Sequence, residues 1–414
     1  MISVPESQEF GLGYRFTWKP EGIAATINHL DDDHGDLKCE VRIEYLDPPA
    51  HIKRQRLNCS SGRAISELAK TLKASANHID WSALLEQLAY FTIENYRSGN
   101  PPEHFMVSQS DAIIQPKFKV HPFIMENDIS MVFAMGGSGK SIFCQTLYAL
   151  ASIGEKDNKL GLGIEGPLNI GYLDWESNVN SFKYRIRKLL RGMDLPDFEV
   201  KYQMCHLPFI DDLNKIGDWI GTAKLNALII DSVGMAGGKS YEMSDPRTAI
   251  SMTSGIRSLK LPVVLIHHTP KSVLPGQQRS EYGTVYWRNE SRSVWEIISE
   301  DPVRVDAETS ELSITLRHRK INDMPYENDM SWKYTFTPET ITVKKIDVQD
   351  LETAMKGKSL NDRIMSILRD GAMTPASISG ELEATEGAIR TALTRLKKMK
   401  KVVNVGENSW GRAL

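Results

Sequence analysis

Residues 134–141 read Ala-Met-Gly-Gly-Ser-Gly-Lys-Ser and follow the apolar run Ile129-Ser130-Met131-Val132-Phe133. A short strand, a glycine-rich turn, a Lys-Ser pair and a helix-forming segment together predict a phosphate-binding loop. Three glycines in four positions (Gly136, Gly137, Gly139) leave no Cβ atoms between backbone N–H groups and phosphate oxygens. The expected cradle is Gly136, Gly137, Ser138, Gly139, Lys140, Ser141 and Ile142. The helix opening near Lys140 adds the positive end of its dipole. Lys140 is expected to reach the β- and γ-phosphates, and the Ser141 hydroxyl to face Mg²⁺. Ala134 stands where the strict motif has Gly. The stretch predicts a nucleoside triphosphate site.

The 414 residues are enough for two or three domains with a sizeable core. With 41% hydrophobic and 25% charged residues, the composition is that of an ordinary soluble globular protein. A net charge of −3 excludes a wholly basic nucleic-acid coat, so any nucleic-acid contact must come from local patches. The start, Met1-Ile2-Ser3-Val4-Pro5-Glu6, has neither the basic opening nor the apolar stretch of a signal peptide. No apolar run approaches the roughly 18 residues needed to span a bilayer. Cys39, Cys59, Cys144 and Cys205 are scattered without metal-binding spacing, and reduced thiols are expected. A cytoplasmic location without membrane contact follows as the expectation.

Three segments emerge. Residues 1–112 predict a small α+β domain of unassigned role. Its expected strands are Tyr14–Lys19, Gly22–His29 and Leu37–Tyr45, with a solvated hairpin tip at Asp31-Asp32-Asp33-His34-Gly35. Helical spacing of apolar residues follows over Ser60–Leu72 and Trp81–Arg97. Ser98-Gly99-Asn100-Pro101-Pro102 begins a linker. Residues 113–350 alternate apolar strands with helical stretches, as a parallel sheet with helices on both faces requires. The clearest strands are Ser130–Ala134, Asn169–Asp174, Ala227–Asp231 and Pro262–His267. Leu312–Arg317 and Trp332–Thr337 alternate polar and apolar residues and suit antiparallel strands at the sheet edge. Residues 356–414 predict helices over Leu360–Arg369, from Thr374-Pro375 to about Glu383, and over Glu386–Lys400. The strands Val402–Val405 and Ser409–Gly411 complete the winged-helix pattern. From Lys356 onward there are 11 Lys/Arg against six Asp/Glu, so this unit is locally basic and is expected to contact DNA. Its alternative use is as a protein-docking module.

A triphosphatase needs a second carboxylate for Mg²⁺, and the buried run Leu228-Ile229-Ile230 ends in Asp231. Ser232 follows it, where a water-activating Glu often stands, so the base is sought elsewhere. The strand Ile170-Gly171-Tyr172-Leu173 ends in Asp174-Trp175-Glu176, making Glu176 the expected base and Asp174 the second choice. The strand Val263-Val264-Leu265-Ile266 ends in His267-His268, and His268 is the expected γ-phosphate sensor rather than a zinc ligand.

Strands ending in Glu176, Asp231 and His268 after a phosphate loop make the RecA-like pattern. On AMGGSGKS, YLDWES, LIIDSVG, LIHHTPKS and GTVYWRNESRSVWEI, the chain resembles the RepA-type hexameric helicase family over about residues 113–325. The resemblance implies an α/β RecA-like P-loop fold, ATP rather than another nucleotide, and a homo-oligomer of six with ATP bound between neighbours. It further implies a cation given by the adjacent subunit: Arg292 first, with Arg288, Arg319 and Lys320 as rivals. Lys140, Glu176, His268 and Arg292 are thus the expected catalytic set, with Ser141 and Asp231 on Mg²⁺. DNA-contact loops would fall at residues 234–245 and 271–282, where Lys239, Lys271 and Arg279 would meet a single strand. The extra N-terminal domain and the winged helix, a candidate duplex-DNA module, depart from minimal members and suggest a phage or mobile-element homologue. The leading expectation is a DNA helicase or translocase. The alternatives are a RecA-fold ATPase assembling for recombination or defence, and a winged-helix DNA-binding protein whose oligomerisation ATP licenses.

Overall fold

The computed structural model describes residues 2–98, 102, 104–113, 115–237, 245–269, 285–351, 353, 358–406 and 408–413. The N-terminal part is an antiparallel meander of β1 (Glu6–Phe10), β2 (Gly13–Trp18), β3 (Ile23–Asp33), β4 (Asp36–Leu46) and β5 (Pro49–Asn58). Alternation along β2, β3 and β4 sends Phe16, Trp18, Ile27 and Val41 to one face. The apolar stripes of α1 (Gly62–Ser75) and α2 (Trp81–Ser98) cover that face. Ser61 caps α1 by accepting from the Ala64 N–H. Trp18 Nε1 donates to Gln87 Oε1 at 3.0 Å, tying sheet to helix. Both helices and β2–β4 agree with the sequence reading, whereas β1 and β5 are additional. In β5 Leu57 alone is fully buried, so no apolar alternation marks it.

The central unit opens with a small sheet of β6 (Phe118–His121), β7 (Ile124–Met125) and β9 (Gly163–Ile164). The main sheet contains β8 (Ile129–Ala134), β10 (Ile170–Asp174), β11 (Lys201–Met204), β12 (Ala227–Asp231), β13 (Val263–His268) and β14 (Ser293–Ser299). These run parallel in the order β11–β10–β12–β13–β8–β14. The antiparallel strands β16 (Ser310–Ile321), β17 (Met330–Phe336) and β18 (Ile341–Ile346) extend it, with β15 (Val303–Arg304) beside β16. The predicted antiparallel direction of the later strands holds, but their place differs: β18 is the edge, and β16 lies inside between β14 and β17.

The four parallel strands predicted from their apolar runs are all present. Every residue of β8, β10 and β12 is buried, as strands covered on both faces must be. Two apolar cores result. One holds α3 (Lys140–Ile153) and α4 (Val179–Met193) against one face. The other holds α5 (Leu213–Ala223), α6 (Val233–Ala236), α7 (Pro246–Ser258) and the Trp287 side chain of α8 (Tyr286–Glu290). The N-terminal unit meets α5 at close quarters: a Cβ at Gly11 would lie 2.2 Å from Gly217 O. Lys260 and Glu9 pair across the same contact at 2.5 Å.

The C-terminal residues form α9 (Leu360–Ile367), α10 (Pro375–Leu382) and α11 (Glu386–Lys398), then the hairpin β19 (Val402–Gly406) and β20 (Ser409–Arg412). Ser359, Thr374 and Thr385 cap the three helices, and Ile364, Ile378, Ile389 and Leu393 are the centre of a separate small core. These bounds match the sequence reading to within two residues. All four cysteines are buried free thiols. Among the described residues no helix is long and apolar enough to cross a membrane.

Candidate functional site

The loop between β8 and α3 has the geometry a phosphate cradle requires. Gly137 and Gly139 adopt φ of +79° and +85°, a region that side chains with a Cβ resist. Gly139 has a second constraint, since a Cβ there would sit 2.9 Å from Leu312 Cδ2. The Lys140 ammonium is turned back onto the loop, donating to Ala134 O at 2.9 Å and Met135 O at 2.6 Å. Burial lowers its pKa to about 8, while Glu176 and Asp231 pull the other way. A nucleotide's phosphates would exchange those carbonyls for a stronger acceptor.

Sheet register brings the acids to the loop. Asp174 pairs with Asp231 across β10 and β12, and His268 pairs with Ala134 across β13 and β8. One strand therefore separates the loop strand from the strand that ends in Asp231. Asp231 is buried, and its Oδ2 accepts from the Tyr172 hydroxyl at 2.7 Å. Its Oδ1 has no hydrogen-bond partner although it is shut away from solvent. Burial raises the carboxyl to about 6, and the hydrogen bond from Tyr172 counters part of that. An orphaned buried oxygen on a carboxylate close to Ser141 fits a divalent cation, and these two residues would hold Mg²⁺.

Glu176 takes the position foreseen for it. Its Oε1 lies 2.7 Å from His268 Nε2 and also accepts from the Ser232 hydroxyl. A carboxylate oxygen facing that ring nitrogen requires the nitrogen to carry the proton. The His268 bond is the main influence holding Glu176 below the ordinary carboxylate range. His267 points elsewhere: it is buried, edge-on to Trp287, and burial lowers its pKa to about 4.

Asp174 proves to be a scaffold. It accepts from the Glu176 and Ser177 N–H groups, from the Ser177 hydroxyl, and from Tyr202 Oη at 3.0 Å. Both of its oxygens are engaged, so the second-choice base instead shapes the turn that presents Glu176. The sequence reading treated Ser232 as the absence of a base and did not single out Arg185. Arg185 lines the same cavity of about 290 Å³ as Gly137, Lys140, Ser141, Glu176 and His268. It makes no ion pair or hydrogen bond among the described residues. It lies within α4 among Lys183, Arg187, Lys188 and Arg191, so nothing in the spacing singles it out.

The cations proposed for a neighbouring site lie toward the opposite end of the parallel strands. Arg292 donates its backbone N–H to Ile129 O and sits 3.6 Å from Asp128. That is about 16 Å along β8 from Ala134, at ~3.3 Å per residue. Arg288 donates to Arg319 O, Arg319 pairs with Glu296, and Lys320 donates to the carbonyls of Arg288, Asn289 and Ser291. None of the four lines the cavity over its own loop. Lys239, Lys271 and Arg279 lie outside the described residues.

A parallel-rich sheet with this strand order and a glycine-rich loop opening a buried helix have the form of a RecA-like P-loop nucleotide-binding core, with Glu176, Asp231 and His268 at one rim. In agreement, residues 101–273 match the AAA domain family. A solved KaiC-like protein from the hyperthermophilic archaeon Pyrococcus horikoshii is similar at 13% identity, with a TM-score of 0.38. That alignment covers 56% of this chain and 99% of the other. No curated protein matches.

Proposed function

We propose that this chain is an ATP-hydrolysing, ring-forming motor that acts on DNA as a helicase or translocase. The observation that supports hydrolysis most is the Glu176 carboxylate, anchored through Oε1 by His268 and Ser232 beside Lys140 in the loop cavity. A carboxylate kept charged and fixed by one oxygen offers the other to a water in line with the γ-phosphate. Lys140 leaves the Ala134 and Met135 carbonyls for the phosphate oxygens, and Arg185 adds a second cation from α4. Mg²⁺ held by Ser141 and Asp231 would neutralise charge on the β- and γ-phosphate oxygens. His268 hydrogen-bonds Glu176 before hydrolysis and reports departure of the phosphate by changing partner.

A homo-hexamer in which a cation from the next subunit completes the site rests on the helicase resemblance, with Arg292, at the far end of β8 from the loop, as the first choice. DNA action is supported by the basic C-terminal unit, read as a winged helix. Arg390, Thr391, Thr394, Arg395 and Lys398 are exposed on α11 and suit a duplex. The single strand would run past Lys239, Lys271 and Arg279.

The test is ATP hydrolysis with and without single-stranded DNA for wild type and Glu176→Gln, with particle mass from light scattering. DNA-stimulated turnover in a six-subunit species, lost by at least ~100-fold in the variant, is expected. Turnover indifferent to DNA would instead favour an ATPase whose nucleotide state governs assembly.

A further inference from the structure

The buried tyrosines behind the carboxylates have no role in the mechanism so far. Tyr172 lies on β10 opposite Ile229 of β12, two residues before Asp231. Its ring is fully buried among Tyr148, Phe182 and Tyr202, with centroids 5.8, 4.7 and 6.4 Å away. Its hydroxyl meets one acceptor, Asp231 Oδ2 at 2.7 Å. The neighbouring Tyr202, stacked nearly parallel to it, sends its hydroxyl to Asp174 instead. Two aromatic rings in one stack thus hold two different carboxylates.

We propose that Tyr172 is a positioning residue for the carboxylate read as the metal-holding one, fixing Asp231 by Oδ2 so that Oδ1 is left free for a ligand. The aromatic packing prevents the phenol from turning away, and an O–H donor at that point prevents the carboxylate from rotating. The orphaned state of Oδ1 is the counterpart of that clamp: one oxygen is satisfied from behind and the other is reserved for a ligand. Tyr172 touches neither nucleotide nor water, so its effect runs entirely through Asp231. The inference rests on the nucleotide-site reading above.

The test uses the full-length protein saturated with a non-hydrolysable ATP analogue and titrated with Mn²⁺, read by electron paramagnetic resonance. Wild type, Tyr172→Phe and Tyr202→Phe are compared, each first checked by circular dichroism. Phe fills the same apolar slot, so Tyr172→Phe is expected to keep its fold and its affinity for the analogue in EDTA. Its Mn²⁺ affinity should fall about 10- to 100-fold, and excess Mg²⁺ should restore kcat. Tyr202→Phe should bind Mn²⁺ as wild type does. Equal Mn²⁺ affinity in wild type and Tyr172→Phe overturns the proposal, as does an equal loss in both variants. If wild type with analogue binds no Mn²⁺, the nucleotide-site reading falls and this proposal with it.

Discussion

Replacing Asp231 with Asn should stabilise the metal-free protein while removing its use of Mg²⁺. The Asp231 carboxyl is 4% exposed, and its pKa stands at about 6 against 3.8 for a free side chain. Two pKa units correspond to about 3 kcal/mol of differential stability. The folded state binds this proton more tightly than the unfolded chain, so the group's contribution falls as pH rises from about 4 to about 6. Above that window the full cost of a buried, half-satisfied carboxylate is present. Asn keeps an acceptor for the Tyr172 hydroxyl and carries no charge. Part of the gain is offset, because Asp231 also helps keep Lys140 protonated. A net stabilisation of about 1–2 kcal/mol at pH 7.5 in EDTA is expected, shrinking toward zero near pH 4. Urea denaturation of both proteins at the two pH values gives the difference directly. Adding Mg²⁺ and an ATP analogue should reverse the order, since a ligand bound by the folded wild type adds RT ln(1 + [L]/Kd). A variant less stable than wild type in EDTA at pH 7.5, or a difference indifferent to pH, would refute the electrostatic account.

Other perturbations separate the roles of neighbouring groups. His268→Ala removes the main influence that lowers the Glu176 pKa. Activity that needs the Glu176 carboxylate is lost as pH falls through its pKa, so the acidic limb of the kcat–pH profile should move to higher pH. Gly139→Ala places a Cβ at φ +85° and 2.9 Å from Leu312. The left-handed conformation alone costs about 1–2 kcal/mol, so fluorescent-nucleotide binding should weaken by roughly tenfold or more. Arg185→Ala breaks no ion pair among the described residues, so the melting temperature should hold while nucleotide affinity or kcat drops, about tenfold where the guanidinium meets a phosphate. Steady-state kinetics would show which of the two moves.

The sequence discloses the catalytic rim because apolar strands that end abruptly in polar residues are unmistakable. Gly136–Ser141, Glu176, Asp231 and His268 all lie where such runs stop, and strand register then brings them together. Support from the side or from behind left no comparable trace. Tyr172 is one more apolar-sized residue inside a buried strand, and Asp174 looks like a base until its four donors are seen. Arg185 is a single cation in a helix that carries several. In the fold, β14 was not among the strands named from sequence: in Ser-Val-Trp-Glu-Ile-Ile-Ser the apolar run is broken by Glu296, which is buried because it pairs with Arg319. The edge strands β1 and β5 lacked alternation because much of each side is exposed.

The contact between Gly11 and Gly217 has a mechanical meaning. Gly217 and Gly221 present bare backbone to the Leu12 side chain and the Phe10 ring, while Gly11 rests directly on the Gly217 carbonyl, so β1, the turn after it and α5 mesh closely. Such a joint resists sliding, because at Gly11 the atoms that would have to give way are main chain. Helix α5 ends at Ala223, and β12 begins at Ala227, four residues later, and runs to Asp231. A load applied to the N-terminal sheet therefore has a short lever to the strand that carries Asp231.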